Sequence, residues 1–513
     1  MQHIYLFGFR PIRAGEQEIR MKKLEPDKIS KTQAASVMVI DLPCSEDDLL
    51  FFNGYQTWTL SREVKPDDTI RNSRPVLKLI GKPWGTQRYG DGFFTHYPEN
   101  AGCFHGFTYC YRRRGDTYTL FASYDESNGY TIFSYDAATG ELHIEKDAGF
   151  GADCDLSLHI CAFEGTEDEV FDAWFSELET KSGIKRRPAE PLAGYSSWYN
   201  RYADITDETI SADLDGCSKI LKEGDLFQID DGWQQSVGVW EANTDKFPRG
   251  MKASVDDIHS RGLLAGLWLA PFSVQKDSAL IKEHPDWLLV HDGRPWYTGC
   301  NWGGFYSLDI DNPGVKKYLK NVFDRILNEW GFDLVKLDFL YSAAPHPTLA
   351  GSNYGESRGS RMVRAMKLLR EWCGDKLILG CGVPLGPAFG LVDYCRVGCD
   401  ASLDWNNTRM MRLVNNEIVS TRNAICDSYY RRQLDGRAFL NDPDVFFLRE
   451  DNIKLTPEER LMHAKVCAQY GSFLLTSDNM GEYDKQQLSD YADLRNIWEV
   501  KKWTDLSFLK ALC

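Results

Sequence analysis

Residues 334–341 read LVKLDFLY, a short apolar run broken only by Lys336 and Asp338. Its length and its Leu/Val/Phe content predict a buried strand of a parallel sheet. Residues two apart on a strand share a face, so Lys336 and Asp338 are expected to point the same way. The same grammar recurs on both sides of this run. LAGYSSWY (192–199), LFQIDDGW (226–233) and LLAGLWLAPF (263–272) precede it. LILGCGVPL (377–385), DYCRVGCD (393–400), AFLNDPD (438–444) and SFLLTSDN (472–479) follow it.

Helix-period segments separate these runs. Pro313 opens one whose apolar face is Val315, Leu319, Val322, Phe323, Ile326, Leu327 and Trp330, and Gly331 closes it. Another passes through Met362, Val363, Met366, Leu369 and Cys373. Eight strand-and-helix units predict a (β/α)8 TIM barrel over residues 192–503. A doubly wound open sheet is the competing arrangement, but no GxGxxG follows the first strand.

Before the barrel, alternation has period two. ASVMVIDL (35–42), YTLFASY (118–124), YTIFSY (130–135) and ELHIEKD (141–147) are strand-like, and helical periods are almost absent. Residues 1–180 are therefore expected to form an N-terminal all-β sandwich domain, joined by a charged, Pro-containing linker at 181–191. A helix through Leu488, Tyr491, Leu494 and Trp498 ends the barrel and leaves 504–513 as a C-terminal stub.

Composition narrows the function classes. With 43% hydrophobic and 26% charged residues, and no apolar stretch long enough to span a bilayer, no membrane role is expected. A net charge of −16 argues against a nucleic-acid partner. The opening MQHIYLFGFRPIR lacks the plan of a secretory signal, so the expected location is cytoplasmic. The fourteen cysteines contain no CxxC pair and are read as reduced structural thiols. No cofactor or metal is implied. DIDNPG (309–314) lacks the closing Glu of a calcium loop and reads as an Asx/Pro helix start. Fifteen Trp is a high count, and indoles supply flat apolar walls suited to a sugar ring.

Active sites of such barrels lie at the carboxyl ends of the strands. Here those ends carry Trp198, Asp230 and Asp231, Trp268, Lys336 and Asp338, Cys381, and Arg396 and Asp400. A cation beside Asp338 would favour the ionised carboxylate that a nucleophile requires, though a buried structural ion pair would look the same in sequence. Asp400 suits the opposite role, because a neighbouring carboxylate raises the pKa of a general acid. Arg396 would oppose that if it lay against Asp400, so it is expected to face hydroxyls or Asp338. Asp230 and Asp231 read as acceptors for hydroxyls, with metal binding as the competing reading. Asp404 is an extra carboxylate close to Asp400 in the chain.

FQIDDGWQ, GLWLAPFSV, HPDWLL, VKLDFL, LGCGVPL, RVGCD and FLNDPD, in this order and spacing, resemble glycoside hydrolase family 36, the α-galactosidases of clan D, in their compact bacterial form. The likeness covers roughly residues 190–480, with an echo at NGYQTW (53–58). It implies a retaining exo-glycosidase that acts on terminal α-D-galactosyl residues by double displacement, with Asp338 as nucleophile and Asp400 as acid/base. It also implies that Asp230 and Asp231 bind the 4- and 6-hydroxyls and that Lys336 and Arg396 contact the 2- and 3-hydroxyl region. Trp198 and Trp268 would line the pocket, Cys381 would contribute to its wall, and Trp58 would reach toward it. The partner is then an oligosaccharide or glycoside, and a homo-oligomer is compatible with the family. An α-N-acetylgalactosaminidase with the same mechanism and a non-catalytic sugar-binding protein are the alternatives. Relatives carry a small β domain after the barrel, for which only about a dozen residues follow the last helix here.

Overall fold

The computed structural model describes residues 21–25, 30–34, 37–70, 98–146, 156–345, 356–406 and 419–501. The opening stretch 1–13 and the stub 504–513 lie outside the described residues.

Every sequence-predicted barrel strand is present. In chain order they are β1 (Leu192–Ser196), β2 (Leu226–Ile229), β3 (Leu264–Leu269), β4 (Leu334–Leu337), β5 (Leu377–Gly380), β6 (Tyr394–Arg396), β7 (Leu440–Asp442, then Val445–Phe446) and β8 (Phe473–Thr476). All pair in parallel with their neighbours. The seventh position is split. Residues 440–442 pair with β6 and 445–446 pair with β8, so the ring closes through Pro443 and Asp444. Asp444 has φ 74°, a left-handed turn that a non-glycine residue rarely adopts.

The helices cover the outside as their periodicity requires. Helix Pro313–Asp324 continues as a π-helical turn to Trp330, and Gly331 at φ 91° ends it. Its buried residues include Val315, Leu319, Val322, Phe323, Ile326 and Leu327. Asn312 caps it, accepting from the Gly314 N–H at 2.8 Å, as the Asx/Pro reading anticipates. Helix Arg358–Cys373 buries Met362, Met366 and Leu369.

Among the described residues, two antiparallel sheets, of six and five strands, stand ahead of the barrel. Strand Glu141–Lys146 alternates between buried and outward residues, as does Val37–Asp41, which is why period two was legible there. Between the sheets lie Met38, Ile40, Phe52, Phe104, Phe121, Phe133, Leu142 and Ile144. The six-stranded sheet is buried on its other face too, where Phe51, Tyr109, Tyr111 and Leu120 join the barrel's core. Between sheet and barrel runs a helix that period-two reading does not anticipate, Glu167–Ser182. Its buried residues, Val170, Phe171, Trp174 and Leu178, recur at helical spacing. Thr166 and Glu169 form its capping box, and Gly183 at φ 67° stops it.

Eleven of the described cysteines are free thiols, most of them buried, which fits small apolar side chains. Cys426 corrects the expectation of uniformly reduced thiols, because it is disulfide-bonded. Among the described residues no helix is long and apolar enough to cross a membrane.

Candidate active site

A cavity opens at the carboxyl ends of the barrel strands. Its walls include Trp198, Asp230, Asp231, Trp268, Lys336, Asp338, Arg396 and Asp400, so the structure gathers eight sequence-predicted site residues in one place. Cys381 stands behind this wall, wholly buried, and its thiol is pushed well up by burial and by the nearby Asp338. Trp58 does not line the cavity. It packs edge-on against Phe339, 5.0 Å between ring centroids, and Phe339 is the lining residue. Asp404 lies off the cavity wall in an ion pair with Lys454 at 3.0 Å.

Asp338 follows β4, and its backbone N–H still continues the ladder to Leu269 at 2.8 Å. One carboxylate oxygen accepts the Trp268 indole N–H at 3.1 Å, and the other accepts the Phe339 backbone N–H at 2.8 Å. Trp268 and Lys336 are register partners on β3 and β4, which sets the indole beside this turn. Phe339 adopts φ 51°, and such backbone strain in an aromatic residue persists only where the surrounding structure holds it. Two N–H donors and a strained turn thus fix the carboxylate, leaving lone pairs directed elsewhere.

Lys336 makes its short contact with Asp230 rather than Asp338, at 2.9 Å. Burial would lower the ammonium pKa, but the charge of Asp230, aided by Asp338, reverses this and holds Lys336 protonated. Asp230 also accepts from Gln228 and from the Asp231 N–H, each at 2.9 Å. Asp231 accepts from Gln234 at 2.6 Å and from the Trp302 indole at 2.8 Å, one bond to each oxygen. Each Asp231 oxygen therefore retains acceptor capacity facing the cavity. The metal reading of this pair finds its carboxylates already serving as acceptors for protein donors.

Arg396 corrects a sequence expectation. Its guanidinium lies against Asp400 after all, at 3.0 Å, and also grips Asp442 at 3.0 Å and Asp444 at 2.6 Å. The fork is 2% exposed and divides one positive charge among three carboxylates. Burial raises Asp444, yet Arg396 and Lys336 outweigh it and hold this group below the usual carboxylate range. Two further donors, the Tyr199 hydroxyl at 2.9 Å and the Ala401 N–H at 2.7 Å, favour its ionised form. Asp400 responds the other way. Burial, with the charges of Asp444 and Asp338, outweighs Arg396 and pushes it up to about 6. The Asp400 side chain is 44% exposed at the cavity mouth, so water screens part of this effect.

Six lining residues escape sequence reading: Ser196, Tyr199, Asn301, Trp302, Phe339 and Asp444. Asp444 stands in FLNDPD, a run read as a strand, and its two acids were a visible signal. Asn301 and Trp302 come from the long excursion between β3 and β4, which has no periodicity to read. Trp302 has φ 53°, and its ring lies 4.8 Å from that of Phe339.

These features define a (β/α)8 barrel protein whose acidic, Trp-lined pocket lies at the carboxyl ends of the strands. The family described as Melibiase matches residues 186–350. An α-galactosidase from Thermus thermophilus, solved in complex with stachyose, superposes with a TM-score of 0.74 at 30% identity, over 90% of this chain and 92% of that one. Alpha-galactosidase 1 of Pediococcus pentosaceus is 28% identical over 172 residues, 31% of this chain and 23% of that protein. A type blood alpha-D-galactosamine galactosaminidase from Flavonifractor plautii is 34% identical over 123 residues, 22% of this chain and 11% of that protein. These curated relatives are thus matched over less than a quarter of their own length. The chain belongs to the melibiase family, and it is similar to this Thermus α-galactosidase along nearly its whole length.

Proposed function

We propose that this protein hydrolyses terminal α-D-galactosides with retention of configuration, Asp338 attacking the anomeric carbon and Asp400 serving as acid/base. The observation that carries the proposal is the division of labour between two carboxyls in one cavity. Asp338 is held by two N–H donors, which stabilise an anion, whereas Asp400 is pushed up to about 6 and holds a proton on the acid side of that value. In the first step Asp400 protonates the leaving oxygen as the Asp338 carboxylate forms a glycosyl ester. In the second, ionised Asp400 takes a proton from water, which attacks the ester and frees Asp338. Retention requires carboxyls about 5–5.5 Å apart in the working complex.

Asp230 and Asp231 supply acceptors for galactose hydroxyls, and Lys336 holds Asp230 in place. A carboxylate that accepts the axial 4-hydroxyl loses its partner with glucose, which supplies discrimination. Arg396, already engaged with three carboxylates, contacts the sugar only through whatever donor capacity those bonds leave. Trp198, Trp268 and Trp302 provide apolar walls.

The match to the Flavonifractor plautii galactosaminidase favours a second reading, the same chemistry on a galactoside with a nitrogen substituent at C2. A cytoplasmic location belongs to the same proposal, with eleven free thiols in its favour and the Cys426 disulfide against it. Aryl α-galactoside, α-N-acetylgalactosaminide and α-glucoside, compared by released aglycone and by NMR of the first-formed anomer, test the function. Release of α-galactose is the expected result. Preferential release of N-acetylgalactosamine would favour the second reading, and β-galactose would exclude retention.

A further inference from the structure

The barrel rim carries a second structure besides the carboxylates, a nine-residue segment of the N-terminal β domain, 53–61, seated across three consecutive strand ends. At β4, the Trp58 ring meets Phe339, the residue next to Asp338, at 5.0 Å. At β5, the Thr57 N–H donates to the Val383 carbonyl at 3.1 Å. Gly382 there has φ 56°, and a Cβ on it would stand 2.8 Å from the Trp58 ring, so glycine is what admits the indole.

At β6 the contact is made chiefly by the Arg431 side chain. Arg431 is completely buried and follows helix Thr421–Tyr430. Its guanidinium donates to the Asn53 side chain at 3.0 Å, the Thr57 carbonyl at 2.7 Å, the Gln56 carbonyl at 3.2 Å and the Ser61 hydroxyl at 2.7 Å. A fifth bond, at 2.8 Å, reaches the Val397 carbonyl, three residues before Asp400 in the same turn. Asp427, one helical turn earlier, accepts the Ser61 N–H at 2.7 Å, and its side chain packs against Gly398. One planar fork therefore joins the N-terminal segment to the backbone that bears Asp400. A lysine could not reproduce this, having a point charge in place of five donors fixed in a plane.

We propose that Arg431 is a positioning residue for the acid/base, clamping the turn 397–400 to the segment 53–61 so that the Asp400 carboxyl keeps its place over the leaving oxygen. The inference rests on the reading of Asp400 as acid/base. It makes the N-terminal domain part of the catalytic apparatus without requiring it to touch the reacting atoms.

The test compares the intact enzyme with Arg431→Lys and the milder Ser61→Ala on two α-galactosides, one with a dinitrophenyl leaving group and one with an unactivated alkyl leaving group. Only the second needs protonation to depart. Displacement of a catalytic group by about 1 Å can cost on the order of a hundredfold, so Arg431→Lys should lower kcat/KM on the alkyl galactoside by about 10–100-fold. Its kcat/KM on the dinitrophenyl galactoside should change by less than about threefold, and Ser61→Ala should show the same asymmetry, about threefold in size. Binding of an iminosugar galactose analogue, measured by calorimetry, should be retained in both variants. Equal losses on the two substrates, or none, in a variant that still binds the iminosugar would overturn the clamp. Should Arg431→Lys fail to fold, Ser61→Ala decides by the same ratio. A wild-type protein inactive on both galactosides would sink the glycosidase reading, and the clamp with it.

Discussion

The paired states of Asp400 and Asp444 show how two neighbouring acids are made unlike by their surroundings. Both share Arg396, but Asp444 collects the shorter contact and two further donors, so it takes most of the cation's effect. Asp400, with one bond from Arg396, is the acid pushed up to about 6 and carries its proton below that pH. Acid catalysis needs Asp400 protonated, so kcat/KM should be full at low pH on this limb and fall as pH rises through about 6. Asp400→Ala should lose about 10²–10⁴-fold in kcat/KM on alkyl galactosides and far less on dinitrophenyl galactosides. Steady-state rates across leaving groups check this, and equal losses would count against the role. At this scale the sequence told much. Lys336, Asp338, Asp230 and Asp231 could be read because several acids and a cation recur at the ends of apolar runs that one barrel rim brings together. What it could not tell was orientation. Lys336 turns to Asp230, and Arg396 to Asp400, because side chains from different strands meet at distances that spacing along one strand does not encode.

Among the elements, β7 does the most to shape the pocket. Its two halves serve different neighbours, 440–442 pairing with β6 and 445–446 with β8, on either side of the break at Pro443–Asp444. The same break aims Asp444 at Arg396. Since the Asp444 charge helps keep Asp400 protonated, Asp444→Asn should move the basic limb of the kcat/KM profile to lower pH. A pH series on an alkyl galactoside measures this, and a limb that stays put or moves up would contradict it. The strands themselves were legible because parallel barrel strands are apolar on both faces and end in polar residues. Helix Glu167–Ser182 was equally visible in its spacing, but it follows many period-two runs, and Gly183 after it also suits a linker. The excursion that delivers Trp302 gave no pattern, since its conformation is set by packing on Phe339 and by the bond to Asp231.

Over the whole molecule, the six-stranded sheet cannot be considered apart from the barrel. Phe51, Tyr109, Tyr111 and Trp174 share one continuous core with barrel residues such as Phe389. Exposing such a face would cost roughly 25 cal/mol for each Å² of apolar surface, several kcal/mol for a few aromatic side chains. Sheet and barrel should therefore unfold together, giving one calorimetric transition in the intact chain. A barrel expressed from residue 184 onward should be insoluble or loosely folded. Two separate transitions, or a well-folded barrel fragment, would show the interface to be dispensable.

The most direct test of the double-displacement proposal is to trap the ester it requires. A 5-fluoro-galactosyl fluoride forms a glycosyl-enzyme readily and releases it slowly, so peptide mass spectrometry can find the labelled carboxylate. The expected adduct is one 5-fluorogalactosyl unit on Asp338, the anomeric fluoride having left, in a peptide containing VKLDFL. A label on any other residue, or complete turnover of an α-galactoside to β-galactose with no adduct, would contradict the mechanism.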